Sequence, residues 1–218
     1  MNDFNPNEKS LEIDNLPNRI TLFRILLIPI ILISLLLNLV KTPLILPYHH
    51  LLGYIACWAF VVAALTDIVD GHIARTRGIV TTFGSFLDPI ADKFLVVSAL
   101  IALQALNRIQ VVLVIILVLR EMYMTSLRLL ALERELSVPV NRLGKWKTAT
   151  QMTAIPFLMA WDDLWGIPTP MVGTVLIYLA AIFSVYSAGQ YSFALLKKFE
   201  ARLKLKHAKE DLPASEEK

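Results

Sequence analysis

Cysteine is nearly absent from this chain, with Cys57 the single one among 218 residues. One cysteine cannot close an intrachain disulfide or build a thiolate metal site, so neither device holds the fold. Lying inside an apolar run, Cys57 reads as a small packing residue. Charge is scarce as well: Asp, Glu, Lys and Arg make up 18% of the chain against 56% hydrophobic residues, and the mean hydropathy is +0.59. A soluble domain this short could not hide so much apolar surface, which leaves lipid as part of the solvent. Eight glycines and 11 prolines exclude a low-complexity composition. The net charge of +3 is too small a positive excess to imply a nucleic-acid partner. No cleavable leader is expected, because the first apolar run follows a polar segment and is too long for a signal core.

What the chain does have is long apolar runs. A helix needs about 20 apolar residues to cross a bilayer. Six runs qualify, at roughly 20–40, 49–69, 86–106, 109–131, 148–165 and 170–196. The expected fold is an all-α integral membrane protein of six transmembrane helices with a polar cavity facing the cytoplasm. Residues 1–15 form a polar lead, 16–198 a single domain, and 199–218 a basic helical extension that ends as a disordered tail. Lysine and arginine orient it. In a six-span arrangement 19 of the 21 fall on one side, leaving only Lys41 and Arg108 opposite. The positive-inside rule puts both termini and the 67–93 loop in the cytoplasm of a bacterial inner membrane. Tyr48, Trp161 and Trp165 suit the far interface. His49 and His50, also on the far side, are expected to lack carboxylate neighbours. Small residues such as Ser184 and Ala188 could serve close helix packing or a homodimer.

Against that apolar background, residues 67–92 are conspicuous. They read Asp67-x2-Asp70-Gly71-x2-Ala74-Arg75-x8-Gly84-x3-Asp88-x3-Asp92. On helices, 67, 70 and 74 share a face, and so do 84, 88 and 92. Two helices joined by a turn near 77–82 would bring four carboxylates together at a membrane boundary. There they must either hold protons or gather a cation. Hard oxygen donors select Mg²⁺, Mn²⁺ or Ca²⁺, and four of them allow two ions clamping a phosphoryl group. Gly71 and Gly84 leave open backbone for a nucleotide, and Arg75 supplies a planar fork for phosphate. A surface helix-loop-helix could carry any one of these aspartates. At about 5% usage per residue type, however, a chance match at all eight positions is on the order of 10⁻¹⁰ per start.

The segment resembles the D-x2-D-G-x2-A-R-x8-G-x3-D-x3-D motif of the CDP-alcohol phosphatidyltransferase family, with every fixed position filled. The stretches "NLPNRITLFRILLIP", "FGSFLDPIADK" and "GKWKTATQM" look most like the family's bacterial phosphatidylglycerophosphate synthases. The resemblance implies transfer of the phosphatidyl group from CDP-diacylglycerol to glycerol 3-phosphate, with release of CMP. It implies that Asp67, Asp70 and Asp88 ligate Mg²⁺ or Mn²⁺, two ions in all. Asp92 would be the general base, with a possible contact to the second ion. Gly71, Ala74 and Gly84 would make room for cytidine while Arg75 holds a phosphate. Asn18, Thr21 and Arg24, at helical spacing near the first span, match the family's N-terminal pattern and are expected near the nucleotide or phosphates.

A phosphorylated acceptor needs its own cations. The candidates are Arg120, Arg128, Lys145 and Lys147, with Glu121 as an ion-pair partner. Arg120 and Arg128, eight apart in an apolar run, are expected on one helix face turned away from lipid. Two rivals stand beside this reading. One is the same reaction with inositol phosphate or serine as acceptor. The other is a cation transporter, which would leave Gly71, Gly84 and Arg75 unexplained.

Overall fold

In lipid the backbone must satisfy its own hydrogen bonds, so a run of apolar residues has little choice but to coil. The computed structural model, described over residues 16–77, 82–136, 142–164 and 166–210, turns each of the six expected runs into a helix. These are α1 (Leu16–Leu37), α2 (His49–Arg77), α3 (Thr82–Ala105), α4 (Val111–Glu133), α5 (Arg142–Ala160) and α6 (Thr169–Glu210). A 3₁₀ turn at Leu46–Tyr48 leads into α2. The only strands among the described residues form a two-residue antiparallel ladder, β1 (Asp163–Leu164) with β2 (Ile167–Pro168). Gly166, at φ +79°, takes the left-handed conformation that this hairpin requires.

Among the described residues, three stretches are long and apolar enough to cross a membrane: Ile20–Leu37, Leu46–Asp67 and Thr169–Lys204. The other three helices fall short for a reason visible in their sequences. Asp88, Asp92 and Lys93 interrupt α3, Arg120, Glu121 and Arg128 interrupt α4, and α5 opens on the polar "GKWKTATQ". Six helices are present among the described residues, and three of them carry polar chemistry. α6 also outruns any bilayer. At about 1.5 Å per residue its 42 residues reach roughly 63 Å, against an apolar thickness of about 30 Å. The expected extension past 198 is the last part of this one helix.

Side chains sort as in a protein dissolved in lipid. Leu26, Ile33, Trp58, Leu119 and Ile182 point outward, whereas Thr21, Arg24, Lys147, Ser184 and Ser187 are buried. By contacts the chain separates into two compact units, residues 1–114 with 150–178 and residues 115–149 with 179–218. In the first, α1 packs on α2 and α3 through the buried stripe Thr21, Arg24, Ile31, Ser34, Leu35 and Asn38. Ala56, Phe60 and Ala63 of α2 and Ala91, Leu95 and Ala99 of α3 are also buried, and the small alanine side chains permit close helix approach. The second unit has its own cluster of Met124, Ala131, Ala188, Tyr191 and Leu195, with Leu127, Leu136 and Phe199 against it. Ser184 and Ala188 are thus taken up inside this unit and present no homodimer face.

Two of the helices, α3 and α4, end without glycine. Asn107 and Glu135 adopt positive φ, and each is followed by a residue whose N–H reaches back five positions, Arg108 to Leu103 and Leu136 to Ala131. This satisfies carbonyls that the helix end leaves open. Beyond α3, Arg108 donates to the Leu158 and Met159 carbonyls at the end of α5 and lies 5.4 Å over the Trp161 ring. Burial pulls its pKa down to about 10, so it stays a cation at neutral pH and complements that helix terminus. His50 Nδ1 and Tyr54 Oη meet Asp162 Oδ2 at 3.1 and 3.3 Å. That corrects the expectation that the far-side histidines have no carboxylate nearby: the α5–α6 turn brings Asp162 back to the start of α2. The loops that the charge partition groups away from the cytoplasm therefore meet at one end of this unit.

Backbone packing is tightest at Gly53, where an added Cβ would lie 2.8 Å from the Met159 carbonyl oxygen and 3.3 Å from that of Ala160. Both are backbone atoms, and the Met159 oxygen is also held by Arg108, so they cannot yield cheaply. Gly53→Ala is expected to destabilise the detergent-solubilised protein by about 1–3 kcal/mol. A thermal melt superimposable on that of the parent would show that α2 and α5 are not held this closely.

Candidate active site

The opposite end of the first unit gathers the acidic motif. α2 carries Asp67 on its last turns, and α3 carries Asp88 and Asp92 one helical turn apart. Carboxylates so placed repel, and α1 supplies what holds them. Thr21 Oγ1 donates to Asp88 Oδ1 at 2.5 Å. One turn further along α1, Arg24 Nη1 donates to Asp92 Oδ1 at 2.7 Å, while Nη2 lies 2.9 Å from Asp67 Oδ1. The Thr21-to-Arg24 step on α1 thus matches the Asp88-to-Asp92 step on α3, giving two parallel rungs. A third contact from the same guanidinium ties in α2.

Arg24 is fully buried, yet the side chains of Asp67 and Asp92 remain 37% and 38% exposed. The cation sits behind the carboxylates and leaves their outer surface open. This position lies on the packing stripe of α1, where an apolar side chain would ordinarily be found. An arginine is tolerated there because both ends of its fork meet an acid.

The turn between the two acidic helices falls where the spacing puts it, with α2 ending at Arg77 and α3 beginning at Thr82. The side chains of Asn18, Asp70, Gly71, Ala74, Arg75 and Gly84 lie outside the described residues.

The second unit holds the basic candidates. Lys147 Nζ lies 2.5 Å from Glu121 Oε2, which also takes Arg120 Nη1 at 3.2 Å. Arg120 donates in addition to the Ser184 carbonyl at 3.1 Å and to Ser187 Oγ at 2.8 Å. Glu121 is thus the hinge of a buried ion triad. Arg128 and Lys145 are exposed and make no part of it. Eight residues turn a helix by about 80°, which is why Arg128 does not share the inward face of Arg120 as expected.

A sequence profile of CDP-alcohol phosphatidyltransferases matches residues 14–186, most of the chain. The chain belongs to the CDP-alcohol phosphatidyltransferase family. Among curated relatives, a Bacillus subtilis protein named CDP-diacylglycerol–glycerol-3-phosphate 3-phosphatidyltransferase is 39% identical over 182 residues, covering 81% of this chain and 93% of its own. Proteins of the same name from Rickettsia felis and Haemophilus influenzae are 33% and 34% identical, covering 85% and 81% of this chain and 97% and 91% of theirs. Membership of a phosphatidyltransferase family leaves the cation-transporter alternative without support.

CDP-alcohol phosphatidyltransferases generally depend on a divalent cation. Among the described residues, no three His, Cys, Asp or Glu side chains converge closely enough to hold an ion; the fourth motif carboxylate, Asp70, is outside that set. The donor chemistry nevertheless fits. Asp67, Asp88 and Asp92 are hard oxygen donors, partly exposed and each held from α1, the class of ligand that a divalent cation takes. Arg24 is the residue that motif reading placed least well. The sequence put it near phosphates, whereas it reaches the acids themselves. Its helical spacing from Thr21 was the available signal.

Removing Glu121 would leave Lys147 and Arg120 as buried cations without their shared acid. Glu121→Ala should lower stability by about 1–3 kcal/mol, less than for a fully buried pair because Glu121 is one-third exposed. Glu121→Leu with Lys147→Met should recover part of that loss. If thermal melts show the double variant to be no better than the single one, the triad is not what limits stability.

Proposed function

We infer that this protein transfers the phosphatidyl group of CDP-diacylglycerol to glycerol 3-phosphate, giving phosphatidylglycerophosphate and CMP. The observation that carries this reading is the complete acidic motif, with three of its four carboxylates drawn together by α1. The named relatives, similar along most of the chain, supply the acceptor.

In this reading Asp67, Asp70, Asp88 and Asp92 hold the divalent cation, Mg²⁺ or Mn²⁺ and two ions. When bound, it neutralises the diphosphate of the donor lipid and stabilises CMP as leaving group. The glycerol hydroxyl attacks the β-phosphorus, the P–O bond to CMP breaks, and Asp92 accepts the hydroxyl proton on the carboxylate oxygen turned away from Arg24. Thr21 and Arg24 keep Asp88 and Asp92 from rotating away, so the base is positioned before the acceptor arrives. Gly71, Ala74 and Gly84 give the cytidine room, Arg75 holds a phosphate, and Asn18 stands at the nucleotide. Arg120 and Lys147 hold the acceptor's phosphate, and Glu121 keeps them in place. The acidic end and both termini face the cytoplasm of a bacterial inner membrane, where CDP-lipid head groups and glycerol 3-phosphate meet.

The acceptor is tested directly. Purified protein with CDP-diacylglycerol and Mg²⁺ should release CMP with glycerol 3-phosphate and not with serine or inositol phosphate; release with serine alone would overturn the assignment. Asp92→Asn should reduce turnover by at least about a thousandfold while leaving CDP-diacylglycerol binding within a fewfold of the parent. Turnover near that of the parent would remove Asp92 as the base.

A further inference from the structure

Arg24 does more than neutralise charge. A buried cation could pair with a single acid, yet here the two arms of one guanidinium reach acids on different helices, Asp67 on α2 and Asp92 on α3. Both contacts use Oδ1, and both carboxylates keep over a third of their surface exposed on the other side. We propose that Arg24 is a positioning residue that fixes the spacing of the Asp67 and Asp92 carboxylates, so that their outer faces form one cation-binding surface. This rests on the reading of the motif as a cation site and assigns a separate task to a residue outside that motif.

Two features of the geometry support a positioning role over plain charge balance. A lysine would bring the same charge, but its ammonium is more strongly hydrated and costlier to bury, and as a single point it cannot hold two acids in a fixed plane. Arg24 is also anchored from behind by its own helix, whose buried stripe continues through Ile31 and Leu35. The fork is therefore carried on a packed element and not on a loop. Three carboxylates are arrayed about one guanidinium among the described residues, the hard-donor setting that a divalent ion takes. Without the bridge, α2 and α3 would be free to relieve their repulsion by moving the acids apart.

The two roles predict opposite signs. If Arg24 were only a neighbouring positive charge, removing it would strengthen cation binding, and Arg24→Lys would change little. A positioning residue gives weaker binding in both cases. Mn²⁺ affinity can be read on the full-length protein in nanodiscs from the electron paramagnetic resonance signal of free Mn²⁺, independently of turnover. Arg24→Lys should weaken Mn²⁺ binding by about tenfold or more and lower kcat similarly, with the KM for CDP-diacylglycerol within a fewfold of the parent. Parent-like Mn²⁺ affinity in folded Arg24→Lys would overturn the proposal.

Should that variant fail to fold, the comparison of Asp67→Asn with Arg24→Gln/Asp67→Asn remains, since the double variant removes one charge of each sign. Weaker Mn²⁺ binding in the double variant than in Asp67→Asn supports positioning of Asp92. Equal or tighter binding refutes it. If the parent binds Mn²⁺ but releases no CMP with any acceptor, the functional reading fails while this comparison still decides the role of Arg24.

Discussion

A single buried guanidinium reconciles two requirements that otherwise conflict. Catalysis of phosphoryl transfer calls for several carboxylates at close quarters, and a membrane boundary makes such a group costly. Arg24, fully buried on α1, meets Asp67 and Asp92 at once, and Thr21 one turn earlier holds Asp88. Three helices are thereby joined through polar contacts at the end that carries the acidic motif. Their apolar stretches need only provide length and packing. Neither lipid nor water supplies this constraint, which is internal to the fold.

The same inversion runs through the whole chain. Large apolar side chains such as Leu26, Trp58 and Ile182 face outward, and polar ones are kept for contacts between helices. The second unit uses Glu121 as the first uses Arg24, one charge serving two partners of opposite sign, Arg120 and Lys147. At the end away from the acids, Arg108 closes α5, and Asp162 gathers His50 and Tyr54. Polar side chains thus do at the helix ends what apolar ones do between the helices. Removing one partner of such a pair leaves a buried charge, which is why these positions are costly to change.

Much of this was readable from residue order. Six apolar runs became six helices, because a helix satisfies its backbone groups within a single segment. The period of the acidic motif placed the α2–α3 break correctly, since Asp67 and Asp88 had to stand on helices that reverse direction between them. Three features were not legible. The Arg24 fork depends on where α1 lies against α2 and α3, a distance of some 68 residues along the chain that spacing cannot encode. Arg128 was paired with Arg120 by proximity in sequence, but the rotation between them turns one inward and the other out. The His50–Asp162 contact joins residues more than a hundred positions apart through a turn whose path only the folded chain reveals.

What remains is to see a cation on these oxygens. Crystals of the full-length protein grown with Mn²⁺ can be examined by anomalous diffraction at the manganese edge. The expected result is a manganese peak ligated by oxygens of Asp67, Asp70, Asp88 and Asp92, with Arg24 still bridging Asp67 and Asp92 behind it. A peak elsewhere, or carboxylates turned to different directions around an unbridged Arg24, would contradict it.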